Sequence, residues 1–334
     1  MKAAICEKIN SPWVLKDIPE PEPKAGQVVI KIQAAGLCGT DLHLKHGLLP
    51  VKLPIVPGHE PVGEIVKLGP GVSTLKVGDR VGVSWNQKGC GRCHYCQEEK
   101  DKYCTTPGGL QTWMNLGGGF SEYMIAYEDG CTLIPEKLSS ELAAPLFCAG
   151  FTISSGYFNA NPKPGDRVAV IGVGGLGHLA VQYAKAKGHY VIAINRSDDK
   201  TALSKELGAD EVIVAKDNVG KALKKIGGAD ILLNTGNSAD YASDALTGLL
   251  PEGRLVNMGV DSVPLKANSF DLLLSQTSIK GSQQNHRSDL VDILNLTAEG
   301  KIKPMIEVYT LDEINKVLDR LSEGKVRFRA VIKF

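Results

Sequence analysis

The sequence lacks any excess of charge: 38 Lys and Arg stand against 37 Asp and Glu, a formal net charge of +1 at pH 7. That balance gives no electrostatic footing for DNA, RNA or an anionic membrane as a partner. A long hydrophobic run is missing as well. Even the apolar stretch around Val168 to Ile171 meets glycines at once, well short of the ~18 residues that a membrane-spanning helix needs. Met1-Lys2-Ala3-Ala4-Ile5 leads straight into strand-like sequence, without the charged and apolar regions of a secretory leader. The expectation is therefore a soluble, cytoplasmic protein. No fixed-period repeat and no low-complexity tract occurs, which argues against solenoids and disordered tails. What is present is length: 334 residues exceed what one hydrophobic core usually supports, so two domains are expected.

Of eight cysteines, four (Cys90, Cys93, Cys96 and Cys104) fall within fifteen residues. In a long chain without a leader, that density points to metal rather than to disulfides. Spacings of two, two and seven residues supply four thiolates from one loop, enough to close a tetrahedral zinc site with no open position. Such a site is structural. Glu98, Glu99 and Asp101 lie among the loop's few bases, which argues against contact with nucleic acid.

Residues 1 to about 150 read as short strands, for example 27–34 and 63–67, broken by Gly and Pro at close intervals. From Arg167 the texture changes to alternating strand and helix: strands at 167–171, 190–194, 211–214, 231–234, 254–258 and 278–281, with a helix at 175–187 after the first. The fold class is α/β, a mostly-β part followed by a doubly wound parallel sheet. After Leu290 come a helical run, a strand at 305–309, a helix at 311–324 and a last strand at 330–334.

Gly172-Val173-Gly174-Gly175-Leu176-Gly177 fits GxGxxG and sits after an apolar strand and at the start of an amphipathic helix, where a dinucleotide pyrophosphate site needs it. The first glycine permits the tight turn, the second lets backbone N–H groups approach the pyrophosphate, and the third lets helix and strand pack closely. At the end of the second strand, where NAD enzymes normally hold an acid for the adenosine ribose, the chain reads Ile194-Asn195-Arg196-Ser197. No carboxylate there repels a 2′-phosphate, and Arg196 and Ser197 offer it a charge-assisted contact. These residues favour NADP(H) over NAD(H), with Asn195 as a ribose ligand.

Cys38, His59 and Cys148 are spread over 110 residues, so spacing alone does not link them. Taken singly, Cys148 reads as a small buried hydrophobe and His59 as a structural histidine. Taken with Gly58-His59-Glu60, the glycines at Gly63 and Gly69, the four-cysteine loop and the glycine-rich turn, in that order, they give a chain that resembles the medium-chain zinc alcohol dehydrogenase family along essentially its whole length.

The resemblance implies a GroES-like catalytic domain over 1–152 and 292–334 and a Rossmann domain over 153–291. It implies two zinc ions per chain. Cys38, His59 and Cys148 would hold the catalytic one, Glu60 would join it during ligand exchange, and Asp41 would orient His59. Cys90, Cys93, Cys96 and Cys104 would hold the structural one. Thr40 and His43 would relay the substrate proton, Thr152 and Leu176 would flank the nicotinamide, and Arg329 would meet the pyrophosphate. Trp85 would line a compact apolar pocket with Trp113 and Leu49. Gly39 departs from relatives that place Arg or His there on the cofactor phosphate.

His46 is expected to be solvated, and Cys6 and Cys131 to be partly buried thiols outside any ligand set. Cys148, where polyol dehydrogenases commonly have Glu, favours simple primary alcohols and aldehydes. The alternatives are a polyol or secondary alcohol dehydrogenase, a cinnamyl-type aldehyde reductase, and a non-catalytic zinc-stabilised nucleotide sensor. By family analogy the chain is a homo-oligomer, a dimer or tetramer formed through the sheet of its nucleotide domain.

Overall fold

The computed structural model describes residues 1–104, 110–114 and 116–334. They form two compact units, Met1–Cys148 with Met305–Phe334, and Ala149–Pro304. Among the described residues no helix is long and apolar enough to cross a membrane.

The first unit is built on a seven-stranded sheet in the order Ile306–Thr310, Arg329–Lys333, Gln27–Leu37, Glu60–Leu68, Arg80–Val83, Cys131–Leu133, with Tyr123–Tyr127 also paired to Gln27–Leu37. Neighbours run antiparallel except Ile306–Thr310 and Arg329–Lys333, which are parallel. Gln27–Leu37 is buried almost throughout, as a central strand covered on both faces must be. It runs past the expected 27–34 because Ala34–Leu37 keep pairing on both sides despite lacking an alternating pattern. Val28, Ile30 and Ile32 join Ile65, Trp13 and Phe120 in the core. Helix Ile314–Ser322 adds Ile314, Val317 and Leu318, spaced i, i+3, i+4 so that they share one face. The helix expected over 311–324 thus starts with a separate 3-10 turn, Leu311–Glu313, and stops before Gly324, whose φ of +67° ends it.

The second unit carries six parallel strands in the order Glu211–Val214, Tyr190–Asn195, Arg167–Ile171, Ala229–Asn234, Leu249–Asn257, Ser278–Gly281. Strand order reverses at Arg167–Ile171, so a crevice opens between its carboxyl end and that of Ala229–Asn234, the place where doubly wound sheets bind ligands. Ile171, Ile192, Ile194, Leu232 and Leu255 form the core with Val219, Leu223 and Ala242 from the covering helices.

The domain boundaries differ from those expected at 152/153 and 291/292: the units change at Cys148/Ala149 and at Pro304/Met305. Helix Arg287–Ala298 accounts for the second shift. Its Asp289 accepts a 2.8 Å hydrogen bond from Ser155 Oγ, and its Asp292 accepts from Tyr183 and pairs with Lys187 at 2.7 Å. Helix Ala149–Asn159 carries Ser155 and is undivided, which moves the first boundary back to its start.

Candidate functional site

Sheet register assembles one cluster in the first unit. Gly36 lies opposite Glu60 and Leu37 opposite Ala330, so the residues just beyond these pairs, Cys38, His59 and Arg329, gather at one end of three adjacent strands. A Cβ on Gly36 would fall 1.8 Å from Glu60 Oε2, so only glycine leaves room for that carboxylate. Cys38 caps helix Gly39–Lys45, its Sγ accepting from Thr40 N at 3.3 Å. Cys148 follows the 3-10 turn Ala144–Phe147.

Cys38 Sγ lies 3.1 Å from His59 Nε2 and 3.9 Å from Cys148 Sγ, and Glu60 Oε1 lies 3.9 Å from His59 Nε2. All four ligand atoms fall within 4.8 Å of one another. A tetrahedral zinc with bonds of about 2.3 Å to sulfur and about 2.0 Å to nitrogen requires S···S and S···N edges of roughly 3.8 and 3.6 Å. The donor set and its spacing fit such an ion. Behind it, His59 Nδ1 faces Asp41 Oδ1 at 3.6 Å, and both atoms are buried without another hydrogen-bond partner. That carboxylate directs the opposite ring nitrogen, Nε2, towards the sulfurs.

The charges point the same way. The Cys148 thiol, then His59 and Arg329, holds Cys38 well below the ordinary thiol range against the cost of burial. Burial disfavours the His59 cation, yet Cys38 and Asp41 outweigh it and hold the imidazole well above its usual value. Burial pushes Glu60 up to about 7 although Arg329 pulls it down. Two thiols and the Glu60 carboxylate surround the Arg329 guanidinium, and Asp41 stands behind His59, a set of acids whose charge a divalent cation would offset.

The four-cysteine loop forms a second cluster, with Sγ atoms 3.5 Å apart for Cys93 and Cys96 and 3.9 Å for Cys90 and Cys96. Cys104 completes it, all four ligand atoms again lying within 4.8 Å. Backbone N–H groups of Cys93 and Cys90 donate to Cys90 and Cys104 sulfurs at 3.3 and 3.4 Å, which favours thiolates there. Four protein ligands close this site to substrate.

In the second unit, Gly172 turns with φ +83°, and a Cβ on Gly177 would fall 2.0 Å from Gly172 O. Helix Gly177–Ala186 is preceded by Leu176, which has no side-chain acceptor to cap it; the N–H groups of His178, Leu179 and Ala180 bond back to the Gly174 and Leu176 carbonyls, which leaves those of Gly175, Leu176 and Gly177 at the turn for an anion.

Known proteins resemble the chain in both units. Residues 24–136 match the alcohol dehydrogenase GroES-like domain and residues 175–299 the zinc-binding dehydrogenase domain. An alcohol dehydrogenase of Geobacillus stearothermophilus is 41% identical over 100% of this chain and 99% of its own length. The chain belongs to the medium-chain zinc-dependent alcohol dehydrogenase family. Among solved structures, the alcohol dehydrogenase of Aeropyrum pernix superposes with a TM-score of 0.89 at 33% identity, all of both chains being covered. A cinnamyl alcohol dehydrogenase of Sorghum bicolor gives 0.89 at 30% identity, covering 99% of this chain and 97% of that one.

Several residues of this alcohol dehydrogenase stand elsewhere than the sequence suggests. By the family resemblance Arg329 would contact the pyrophosphate. It is 4% exposed, and its guanidinium donates to Glu60 Oε1. Asn195 was expected on a ribose, but its amide is 5% exposed and already used: Oδ1 accepts from Val173 N at 3.2 Å and Nδ2 donates to Ser204 Oγ at 3.1 Å. It braces the glycine turn. Arg196 is exposed and lies 4.9 Å over the Tyr241 ring, a contact without any signal in the sequence. The Ser197 hydroxyl donates to Asp199, so an acid does stand close to this corner. Cys6 and Cys131 are fully rather than partly buried, in the apolar core and in neither metal cluster.

Trp85 meets His59 edge-on at 5.5 Å and Trp113 at 5.2 Å, and Trp113 lies 6.2 Å from His59, so both indoles wall the metal cluster. Leu49 is half-buried against the core of the same unit. Thr40 and His43 are half-buried on helix Gly39–Lys45, one turn apart on one face. His46 is exposed and contacts Asn10 at 3.0 Å. Thr152 is half-buried on helix Ala149–Asn159.

Proposed function

We propose that the chain is a zinc-dependent alcohol dehydrogenase and aldehyde reductase acting on small or medium primary alcohols and aldehydes with NADP(H). The observation that carries this reading is the convergence of the Cys38, His59 and Cys148 ligand atoms to within 4.8 Å of one another, with Asp41 behind the imidazole. A zinc ion held by Cys38, His59 and Cys148 would supply Lewis acidity to a substrate oxygen, and a bound nicotinamide would supply the hydride acceptor or donor. The protein's own residues do the rest. Arg329 holds Glu60 in reserve beside the ligands, Thr40 and His43 carry the proton away, and Trp85 and Trp113 exclude water and bulky substrates. Leu176, Thr152 and the glycine turn hold the cofactor, and Arg196 meets the 2′-phosphate while Asp199 limits the preference.

The second zinc, on Cys90, Cys93, Cys96 and Cys104, fixes its loop. Reduced thiols of this kind suit the cytoplasm. Strand Ser278–Gly281 ends the sheet unpaired, and helix Ser269–Ser275 exposes Phe270, Leu273 and Leu274 at 63, 72 and 67%. An open edge with large exposed apolar side chains supports association with a second copy.

Metal analysis with steady-state kinetics tests the whole proposal. Two zinc ions per chain are expected, with higher kcat/KM for NADPH than for NADH across a short series of primary aldehydes. A single tightly bound zinc and no turnover would establish a non-catalytic nucleotide-binding protein instead. The likeness to the Sorghum cinnamyl alcohol dehydrogenase favours aromatic aldehydes as the second reading, so a cinnamyl-type aldehyde belongs in the series. Strong preference for a polyol or secondary alcohol would refute the branch.

A further inference from the structure

We propose that the side chains of Asn234 and Asn257 form a positioning latch for the nicotinamide half of the cofactor. This rests on the dinucleotide-binding reading above and adds to it residues outside the glycine turn.

Asn234 ends strand Ala229–Asn234 and Asn257 ends the neighbouring Leu249–Asn257, in register with each other. Asn234 Nδ2 donates to Asn257 Oδ1 at 2.6 Å, and Asn257 Nδ2 donates onward to Gly259 O at 3.1 Å. Asn234 Oδ1 accepts from Gly236 N at 3.2 Å, while its backbone carbonyl accepts from Met258 N and Gly259 N at 3.0 and 3.1 Å. Two successive turns, Thr235-Gly236 and Met258-Gly259, are thereby fixed to one amide pair. They approach so closely that a Cβ on Gly259 would fall 1.7 Å from Gly236 O. Thr235 ties the first turn to the glycine turn, its Oγ donating to Ile171 O and Gly172 O at 2.9 and 2.8 Å.

This lacing lies at the carboxyl edge of the sheet, on the side of the crevice away from Tyr190–Asn195. The adenosine ribose belongs at the end of that second strand, so the other half of a dinucleotide lies over the laced turns. Nothing in core packing requires a buried amide hydrogen-bonded to a half-buried one here. A pair of polar side chains whose hydrogen bonds run to turn backbone sets the position of backbone donors and acceptors in advance, which lowers the cost of ordering them on binding. Asn234 is 2% exposed, so an Asn257 truncation strands its amide.

Fluorescence and calorimetric titrations of the zinc-loaded protein test the latch. The probes are NADPH and 2′-phospho-ADP-ribose, which lacks the nicotinamide; NADH and ADP-ribose replace them if the chain takes the unphosphorylated cofactor. Asn257→Ala is expected to weaken the whole dinucleotide about ten-fold, the worth of one good hydrogen bond, and the fragment less than about two-fold. Asn257→Asp keeps the shape and turns the donor to Gly259 O into an anionic acceptor; it should show the same split, with the melting temperature measured alongside to separate loss of the latch from loss of the fold. Equal weakening of both probes, or no weakening by either variant, overturns the latch. If the unmutated chain binds neither dinucleotide, the cofactor reading fails and the latch with it.

Discussion

Replacing Arg329 with methionine isolates the buried ion pair beside the metal ligands. Arg329 is 4% exposed, Glu60 is fully buried, and the guanidinium donates to the carboxylate. Removing one partner of a buried pair costs about 3–5 kcal/mol, because the other charge is left without compensation. A bound zinc takes over part of that compensation, so the lower end, about 3 kcal/mol, is expected for the metal-loaded protein. That is a large share of the roughly 5–15 kcal/mol by which domains are stable.

The loss depends on pH with a defined sign. Burial holds Glu60 at about 7 even with Arg329 present, and without the guanidinium the carboxyl rises further. A carboxyl whose folded pKa exceeds the unfolded value of about 4.3 stabilises the fold when protonated and loses that contribution as pH rises between the two. The deficit of Arg329→Met against the unmutated chain is therefore small near about pH 5, where Glu60 is neutral in either folded protein, and larger at about pH 8, where Glu60 is ionised beside Arg329 but held protonated without it. The double variant Arg329→Met/Glu60→Gln carries no stranded charge and should recover to within about 1 kcal/mol of the unmutated chain. Urea unfolding at both pH values, with zinc content measured alongside, gives the comparison. An equal deficit at both pH values, or a double variant no more stable than the single one, refutes the reasoning.

Asp41→Asn weakens the hold on His59, and competition with a chelator should show zinc affinity at the first cluster lowered about 10- to 100-fold while the four-cysteine cluster keeps its ion; unchanged release rules out Asp41 as the orienting group. Cys96→Ser should lower the metal content from two zinc ions to one and make the surrounding loop sensitive to protease, and full retention of both ions contradicts the closed-site assignment. His43→Ala should slow alcohol oxidation chiefly near neutral pH, where an imidazole exchanges protons most readily, with partial recovery in alkali; a pH–rate profile parallel to that of the unmutated enzyme removes His43 from the proton path.

Features encoded by short spacing were legible in the sequence. The four-cysteine loop and the glycine turn each lie within fifteen residues, and both appear where their spacing put them. Strand 167–171 was legible because a run covered on both faces carries its own apolar signal, and the edge strands 211–214 and 278–281 lie at the expected bounds although they are partly or largely exposed. Partnerships between distant segments were not. Cys38, His59 and Cys148 meet through sheet register and a turn, which no periodicity announces, and family resemblance alone joined them beforehand. Arg329 read as a phosphate ligand because nothing near it in the chain indicates Glu60, 269 residues away. Asn195 stood at the right strand end for a ribose ligand, but Val173 and Ser204 claim its amide through folding. The domain boundary moved because Ser155 and Tyr183 hold helix Arg287–Ala298, and such contacts leave no mark on composition.

The central sheet of the metal-holding unit takes Arg329–Lys333 between Gln27–Leu37 and Ile306–Thr310, while the other unit is a single uninterrupted stretch of chain. On a ribosome these two designs mature on different schedules. The nucleotide unit has all its strands as soon as residue 304 has emerged, whereas its companion must wait for the final strand. Every thiol and imidazole of the two clusters leaves the ribosome well before the arginine that restrains Glu60. Ion capture and completion of the sheet around it are thus separate events in time, and a nascent chain stalled short of residue 329 would hold its ligands without the strand that closes their scaffold.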